Sequence, residues 1–303
     1  MAPAQRISAY RAWQRAEPLL FIAPALLTLA VFLGYPLAYN FWTAFFRVEL
    51  GLPGQPFVGL DNFIANFEEN GIGLMIWNSA LWTVAGVGLQ FACGLSMAVL
   101  ADRLRNKAAS VVQTVLLLPW VIPGVVTSVI WMCMLQSDLG VVNFLLGRLG
   151  IVDRDVLWLA DGRIALFTLI VVNTWKAAPF WFLMMTAAML DVPKDQLEAA
   201  QLDGAGFLRS FYHVVWQHLK PVVMATLTLT TIWTFNGFDL IYTMTKGGPL
   251  HATSTLPYYT YVIGFKEKNY GQGAALAVFS ILIVGAVCFP YIRAMLRRLK
   301  EGE

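Results

Sequence analysis

Two ionisable side chains, Lys176 and Asp239, stand inside long apolar stretches of this 303-residue sequence. A charge in lipid is costly, so such residues face a water-filled cavity, a partner or backbone carbonyls. The stretch around Asp239 carries Thr226, Thr228, Thr230, Thr231, Trp233, Thr234 and Asn236, while Lys176 closely follows Asn173 in an earlier stretch. Thr230, Thr234 and Gly237 recur at helical spacing with Trp233 and Asn236 beside them, giving one wet face with an aromatic platform. The chemistry such a set supports is recognition. Hydroxyls and amides exchange hydrogen bonds with a polyhydroxylated solute, and an indole packs on its C–H face. Threonines and small residues also hold membrane helices together, so helix packing is a second reading of the same face. The alternative for Lys176 is a structural role on carbonyls freed around Pro179. For Asp239 it is a carboxylate reaching outer water.

Bond-breaking chemistry finds no support. His213, His218 and His251 are the only histidines, and their spacing is not that of metal ligands. No Ser-His-Asp or Cys-His arrangement is suggested. No Gly-Lys dipeptide occurs, so the loop that cradles ATP phosphates is missing. Cys93, Cys133 and Cys288 fall in apolar stretches, where a thiol behaves as a small apolar residue. Neither catalytic residues nor a bound cofactor nor a metal is expected.

The elements that must carry the polar face are membrane spans. Hydrophobic residues make up 58% of the chain and charged ones 13%, against about 25% charged in an average soluble domain. A bilayer core needs roughly 20 apolar helical residues to cross it. Six segments qualify: Pro18 to Phe46, Met75 to Ala101, Ala108 to Gln136, Ile164 to Leu190, Val222 to Thr245 and Ala274 to Ile292. The first is too long for a cleaved signal core and is kept as a span. The expectation is an all-α, polytopic bundle of six transmembrane helices, with a segment 1–17 before it, the spans over 18–292 and a tail 293–303. Prolines at 24, 36, 119, 123, 179 and 290 break helices inside these spans. Freed carbonyls at membrane depth need protein or a water-lined path, although ordinary kinking explains the same prolines.

Lys and Arg set the orientation. With both termini inside, 13 of the 21 fall in cytoplasmic segments and 7 outside, and Lys176 completes the count. Loops rich in these residues stay in the cytoplasm. Both ends and the loop Asp191 to Lys220 are therefore expected there. The net charge of +3 reports topology and implies no nucleic-acid partner.

That loop reads DVPKDQLEAAQLDGAGFLRSFYHVVWQHLK. Pro193 suits a first helical turn, and Asp195 and Glu198 suit its positive end. Asp203-Gly204 ends the helix in a turn. Gly206 to His218 resumes as a second short arm with Phe207, Phe211, Val214 and Val215 on one stripe. The residues alone fit either an amphipathic hairpin on the membrane surface or a docking element approached closely at Ala199, Ala200 and Ala205.

Glu198-Ala199-Ala200, Asp203-Gly204-Ala205, Phe211 and Pro221 together resemble the EAA loop of binding-protein-dependent ABC permeases. Trp216-Gln217 stands where that pattern has a Leu-Pro pair. The resemblance extends through FVGLDNF at Phe57 to Phe63, LLLPWVIP at Leu116 to Pro123, Trp175-Lys176 with Pro179-Phe180, and Lys246 to Pro249. It is nearest to carbohydrate permeases of the maltose and glycerol-phosphate type, and to the first of their two permease subunits. It implies a type I importer permease in the bacterial cytoplasmic membrane. It further implies a second permease as heterodimer partner, two copies of an ABC ATPase that bind ATP and Mg, and a periplasmic or lipid-anchored solute-binding protein. Glu198, Ala199, Ala200, Asp203, Gly204, Ala205 and Phe211 would dock the ATPase. Thr230, Trp233, Thr234, Asn236, Gly237, Asp239, Asn173 and Lys176 would line the path of a carbohydrate or similar solute. An ion-coupled secondary transporter is the alternative, against which no internal repeat is detected.

Overall fold

The structure, a computed structural model, describes residues 20–51, 53–68, 71–102, 107–152 and 155–301. The N-terminal segment 1–17 and the basic connection 103–106 lie outside the described residues. The chain forms two compact units, residues 1–68 with 263–278, and residues 69–262 with 279–303.

In the first unit, helix α1 (Leu20–Thr43) is 24 residues of apolar sequence with nearly every side chain facing outward, as lipid contact demands. A π-turn at Ala30–Gly34 precedes Pro36, and the Tyr35 N–H reaches back to the Ala30 carbonyl. That wide turn spares the helix the register fault a proline imposes. Helix α2 (Asp61–Glu68) follows, opening inside the FVGLDNF stretch. Its Asn62 is buried and donates from Nδ2 to the carbonyls of Ala44 and Phe46, both at 2.9 Å. Asn66 donates to the Gln272 carbonyl at 3.1 Å. Asn62 satisfies carbonyls past the end of α1 that no helix would otherwise pair, which accounts for its place in the motif.

In the second unit, α3 (Ile72–Asp102) and α7 (Ala165–Leu190) pack along each other. Gly86, Gln90, Gly94 and Ala98 recur every fourth residue on α3 and share one face. A Cβ on Gly94 would strike the Trp181 side chain and stand 2.8 Å from both the Ala178 carbonyl and the Phe182 nitrogen. The two backbones approach as closely as only glycine permits. The third expected span is instead two helices, α4 (Lys107–Val121) and α5 (Gly124–Met134), bent by 101°. Pro123 takes an extended conformation at the junction and caps α5. After α5, the short α6 (Val141–Arg148) is pinned by its buried Asn143, which bonds the carbonyls of Ser137 and Val156 and accepts the Trp158 indole N–H at 2.8 Å.

The loop Asp191 to Lys220 holds α8 (Lys194–Leu202) and the short α9 (Phe207–Ser210). A π-turn at Phe211–Val215 then leads without a break into α10 (Trp216–Phe235). The second arm of the loop is thus no separate short helix: it is fused to the fifth span, because its wide turn admits Pro221 without a bend. The expected single span 222–245 differs in a second way. It stops at Phe235, is non-helical over 236–238, and restarts as α11 (Asp239–Met244).

Beyond it, Lys246 to Pro249 forms a turn that explains its glycines. Gly247 has φ +76°, and a Cβ there would strike Ser254 and Tyr258. Asn78 Nδ2 ties this turn to α3 through the carbonyls of His251 and Ser254. Helix α12 (Leu256–Tyr261) follows, and α13 (Tyr270–Glu301) ends the chain, starting four residues before the expected span. Among the described residues four helices are long and apolar enough to cross a membrane, or five if the bent pair α4–α5 counts as one. The fifth expected span is not among them. Helix α10 carries Gln217, His218, Lys220 and five threonines, and the break follows at once.

Candidate solute site and cytoplasmic loop

Two apolar clusters fill the second unit. One is built around Trp82, Leu169, Val172 and Ile241, the other around Val87, Trp181, Met185 and Leu219. The sequence between them on α3, α7 and α10 is polar, and there a cavity of about 170 Å³ opens. Its polar wall is Gln90, Asn173, Thr230 and Thr234, all buried. Its aromatic wall is Trp120, Phe180 and Trp233. Trp120 stacks on Phe180 with centroids 5.5 Å apart, and Phe180 meets Trp233 at 5.2 Å. Gly237 and Asp239, at the break between α10 and α11, and Lys176 complete the lining.

Seven of the eight residues expected to line a solute path are therefore brought together. The eighth, Asn236, is not: it is exposed and donates from Nδ2 to the Ile232 carbonyl of its own helix at 2.8 Å. As the residue that ends α10, it turns back on the last carbonyls. Gln90, Trp120 and Phe180 were missed. Gln90 carried a signal, as an amide near the middle of a charge-free span, where a polar side chain needs a partner or a cavity.

No salt bridge joins Lys176 to Asp239 across this cavity. Asp239 has another neighbour, since its carboxylate occupies the space where a Cβ on Gly124 would stand. Gly124 is the first residue of α5, so the carboxylate lies at the positive end of that helix. That contact explains how a lone acid is tolerated at this depth. It also explains why position 124 is a glycine. The ion pair among the described residues is Arg163–Asp161 at 2.7 Å, just before α7. Hydrogen bonds from the Arg163 side chain hold the Asp161 carboxyl down to about 2. The pair therefore survives at physiological pH and is lost only as pH falls through that value.

The broken end of α10 is fastened from α3. Trp82 is fully buried and donates its indole N–H to the Thr234 carbonyl at 2.6 Å. At the break the Gly237 N–H bonds the same carbonyl at 2.9 Å in a tighter turn, and the indole adds a second donor from α3. Trp82→Phe keeps most of the ring and deletes the bond, worth about 1 kcal/mol. The expected outcome is normal membrane abundance with solute-stimulated ATP hydrolysis lowered several-fold in the reconstituted complex. Unchanged stimulation would show that the break holds its shape without the indole.

In the loop Asp191 to Lys220, α8 runs from its Pro193 cap to Leu202. Gly204 has φ +74°. The Ala205 N–H bonds the Ala200 carbonyl at 2.9 Å and the Gly204 N–H bonds that of Gln201 at 3.0 Å. This is a Schellman cap, which needs a left-handed residue at the glycine position. Glu198, Ala199, Asp203 and Gly204 are exposed, Ala200 and Ala205 half-buried. Phe211 and Glu198 share a groove of about 600 Å³ with Lys194, Leu197 and Phe207. A rigid corner thus presents a short helix whose outer face is free.

Residues 90–301 match the family described as binding-protein-dependent transport system inner membrane component. The trehalose/maltose transport system permease protein MalF of Thermococcus litoralis is 31% identical over 277 residues, 90% of this chain and 92% of that protein. The sulfoquinovosyl glycerol transport system permease protein SmoG of Agrobacterium fabrum is 32% identical over 284 residues, 92% of this chain and 91% of its own. Two structures of a bacterial alginate ABC transporter, one in complex with an alginate pentasaccharide-bound periplasmic protein, superpose with TM-scores of 0.83 and 0.80 at 21% identity. They cover 96% of this chain and 99% and 97% of the matched chains. The ion-coupled reading gives way to an ATP-driven one. With its broken spans, its Gly204 corner and these relatives, the chain belongs to the inner-membrane permease components of binding-protein-dependent ABC importers.

Proposed function

We propose that this chain forms, with a second permease subunit, the path by which a sugar or related polyhydroxylated solute crosses the cytoplasmic membrane. The observation that carries this reading is the cavity: amide and hydroxyl groups on one wall, three aromatic rings on the other, at the break of a span. Sugar hydroxyls need the first wall and sugar C–H faces the second. The names of the relatives, which concern trehalose, maltose and a sulfoquinovosyl glycerol, agree with that chemistry.

An extracytoplasmic binding protein delivers the solute, and two copies of a partner ATPase bind ATP and Mg. Glu198, Ala199, Ala200, Asp203, Gly204, Ala205 and Phe211 form the docking corner for that ATPase. This chain holds no cofactor or catalytic residue. The permease body spans 18–292, between a cytoplasmic segment 1–17 and a cytoplasmic tail 293–303.

The testing experiment is uptake of labelled disaccharides by cells carrying the whole importer, with Trp233→Ala and Thr230→Val. Both variants should lose most uptake at normal abundance. Full uptake by both would return this face to helix packing. Orientation has its own check. Cysteines placed at the exposed Gln55 and Arg209, in a background without the native three, should react with an impermeant thiol reagent on intact cells at Gln55 alone.

A further inference from the structure

Gln90 differs from the other residues of the polar wall in its hydrogen bonding. It is 0% exposed, lines the cavity, and shares its helix face with Gly86 and Gly94. Its Nε2 reaches the Thr234 hydroxyl at 3.4 Å, beyond the usual range for a firm N–H···O bond. Its Oε1 is buried and has no hydrogen-bond donor among the described residues. A shielded acceptor without a donor is costly, and pure packing between α3 and α7 would be served better by a leucine or methionine. The weak Thr234 contact leaves the amide free to swing, and the space beside it is the cavity.

We propose that Gln90 reads the solute: when the Thr234 contact yields, Oε1 accepts a hydrogen bond from one hydroxyl of a sugar ring in the cavity. The second span then contributes selection, beside the fourth and fifth. The inference rests on the sugar reading given above. It deepens that reading by requiring a hydroxyl donor at one fixed position of the ring. Asn173 is the near neighbour, its Nδ2 and the Gln90 Nε2 both lying under 4 Å from the Cβ position of Gly86. Two amides therefore face one small region, one of them with an acceptor to spare.

The test measures uptake of maltose and trehalose by cells carrying the whole importer, then of monodeoxy analogues of whichever sugar is transported. Comparing variant with wild type for each analogue cancels selection by the binding protein. Gln90→Met should slow the parent sugar by about tenfold, the value of one hydrogen bond to a neutral partner. It should leave a single monodeoxy analogue equal in wild type and variant. Gln90→Glu keeps an acceptor and should preserve the wild-type order of analogues. Should Gln90→Met be missing from the membrane, Gln90→Ser carries the same comparison. A loss of equal size for every analogue overturns the proposal and leaves the sugar reading standing. Failure of the wild-type importer, abundant and active in ATP hydrolysis, to take up either sugar overturns both.

Discussion

Gly94→Val should lower the amount of folded permease in the membrane at least several-fold. The added side chain meets two backbone atoms of α7 at 2.8 Å and the Trp181 side chain closer still, and backbone cannot swing aside as a flexible side chain can. Overpacking of this kind costs about 1–3 kcal/mol or more, and a loss of that size lowers abundance several-fold. The control is built into the same helix. A Cβ on Gly88 meets nothing within 4 Å, so Gly88→Val should be tolerated. The measurement is the amount of each variant in detergent-extracted membranes, with size-exclusion profile. Equal abundance of the two would show that α3 and α7 can separate without penalty.

The second large effect lies at the cytoplasmic corner. Gly204→Val should abolish solute uptake while the chain still reaches the membrane. Open space surrounds position 204, so the cost is conformational: a left-handed residue with a branched side chain is strained by about 1–2 kcal/mol. The helix then leaves the corner at a wrong angle. Gly204→Asn should restore much of the uptake, because Asn visits that conformation readily. Gly206, whose φ is ordinary, should accept Ala. Glu198→Lys should abolish uptake by another route, reversing a charge on the exposed face of α8. ATPase co-purification separates the two: it should fall sharply with Glu198→Lys and less with Gly204→Val. Full uptake by both would reduce the corner to a surface hairpin.

The corner was legible in the sequence because capping chemistry is local: Pro193, Glu198 and Asp203-Gly204 lie within twelve residues and determine each other's conformation. Four of the six expected spans were legible for a similar reason, since a charge-poor apolar run is read directly off composition. The solute wall was legible only in part. Thr230, Thr234 and Gly237 follow one another along a helix and announced themselves by period. Gln90, Trp120 and Phe180 come from three other segments, and nothing local shows which way they point. The breaks were the harder feature. Pro119 and Pro123 promised a kink, but nothing local to them indicates a bend of 101°. The gap at 236–238 contains no proline at all. It depends on an indole donated from α3, a contact 152 residues distant in sequence.

The fusion of the loop's second arm with the fifth span has a mechanical consequence. From Phe207 to Phe235 the backbone is helical without a joint, a rod roughly 40 Å long at 1.5 Å per residue. Its near end is the Gly204 corner and its far end is the wall of the cavity. A tilt of about 5° at the corner would sweep the far end by about 3 to 4 Å, on the order of one helix-to-solute contact distance. On the proposed function, a stroke delivered at that corner would be spent on Trp233 and Thr234 and taken up beyond them, at the non-helical 236–238. On the proposed function the break at 236–238 would then sit beside the solute, so a displacement that moves the rod would shift the cavity wall in the same movement.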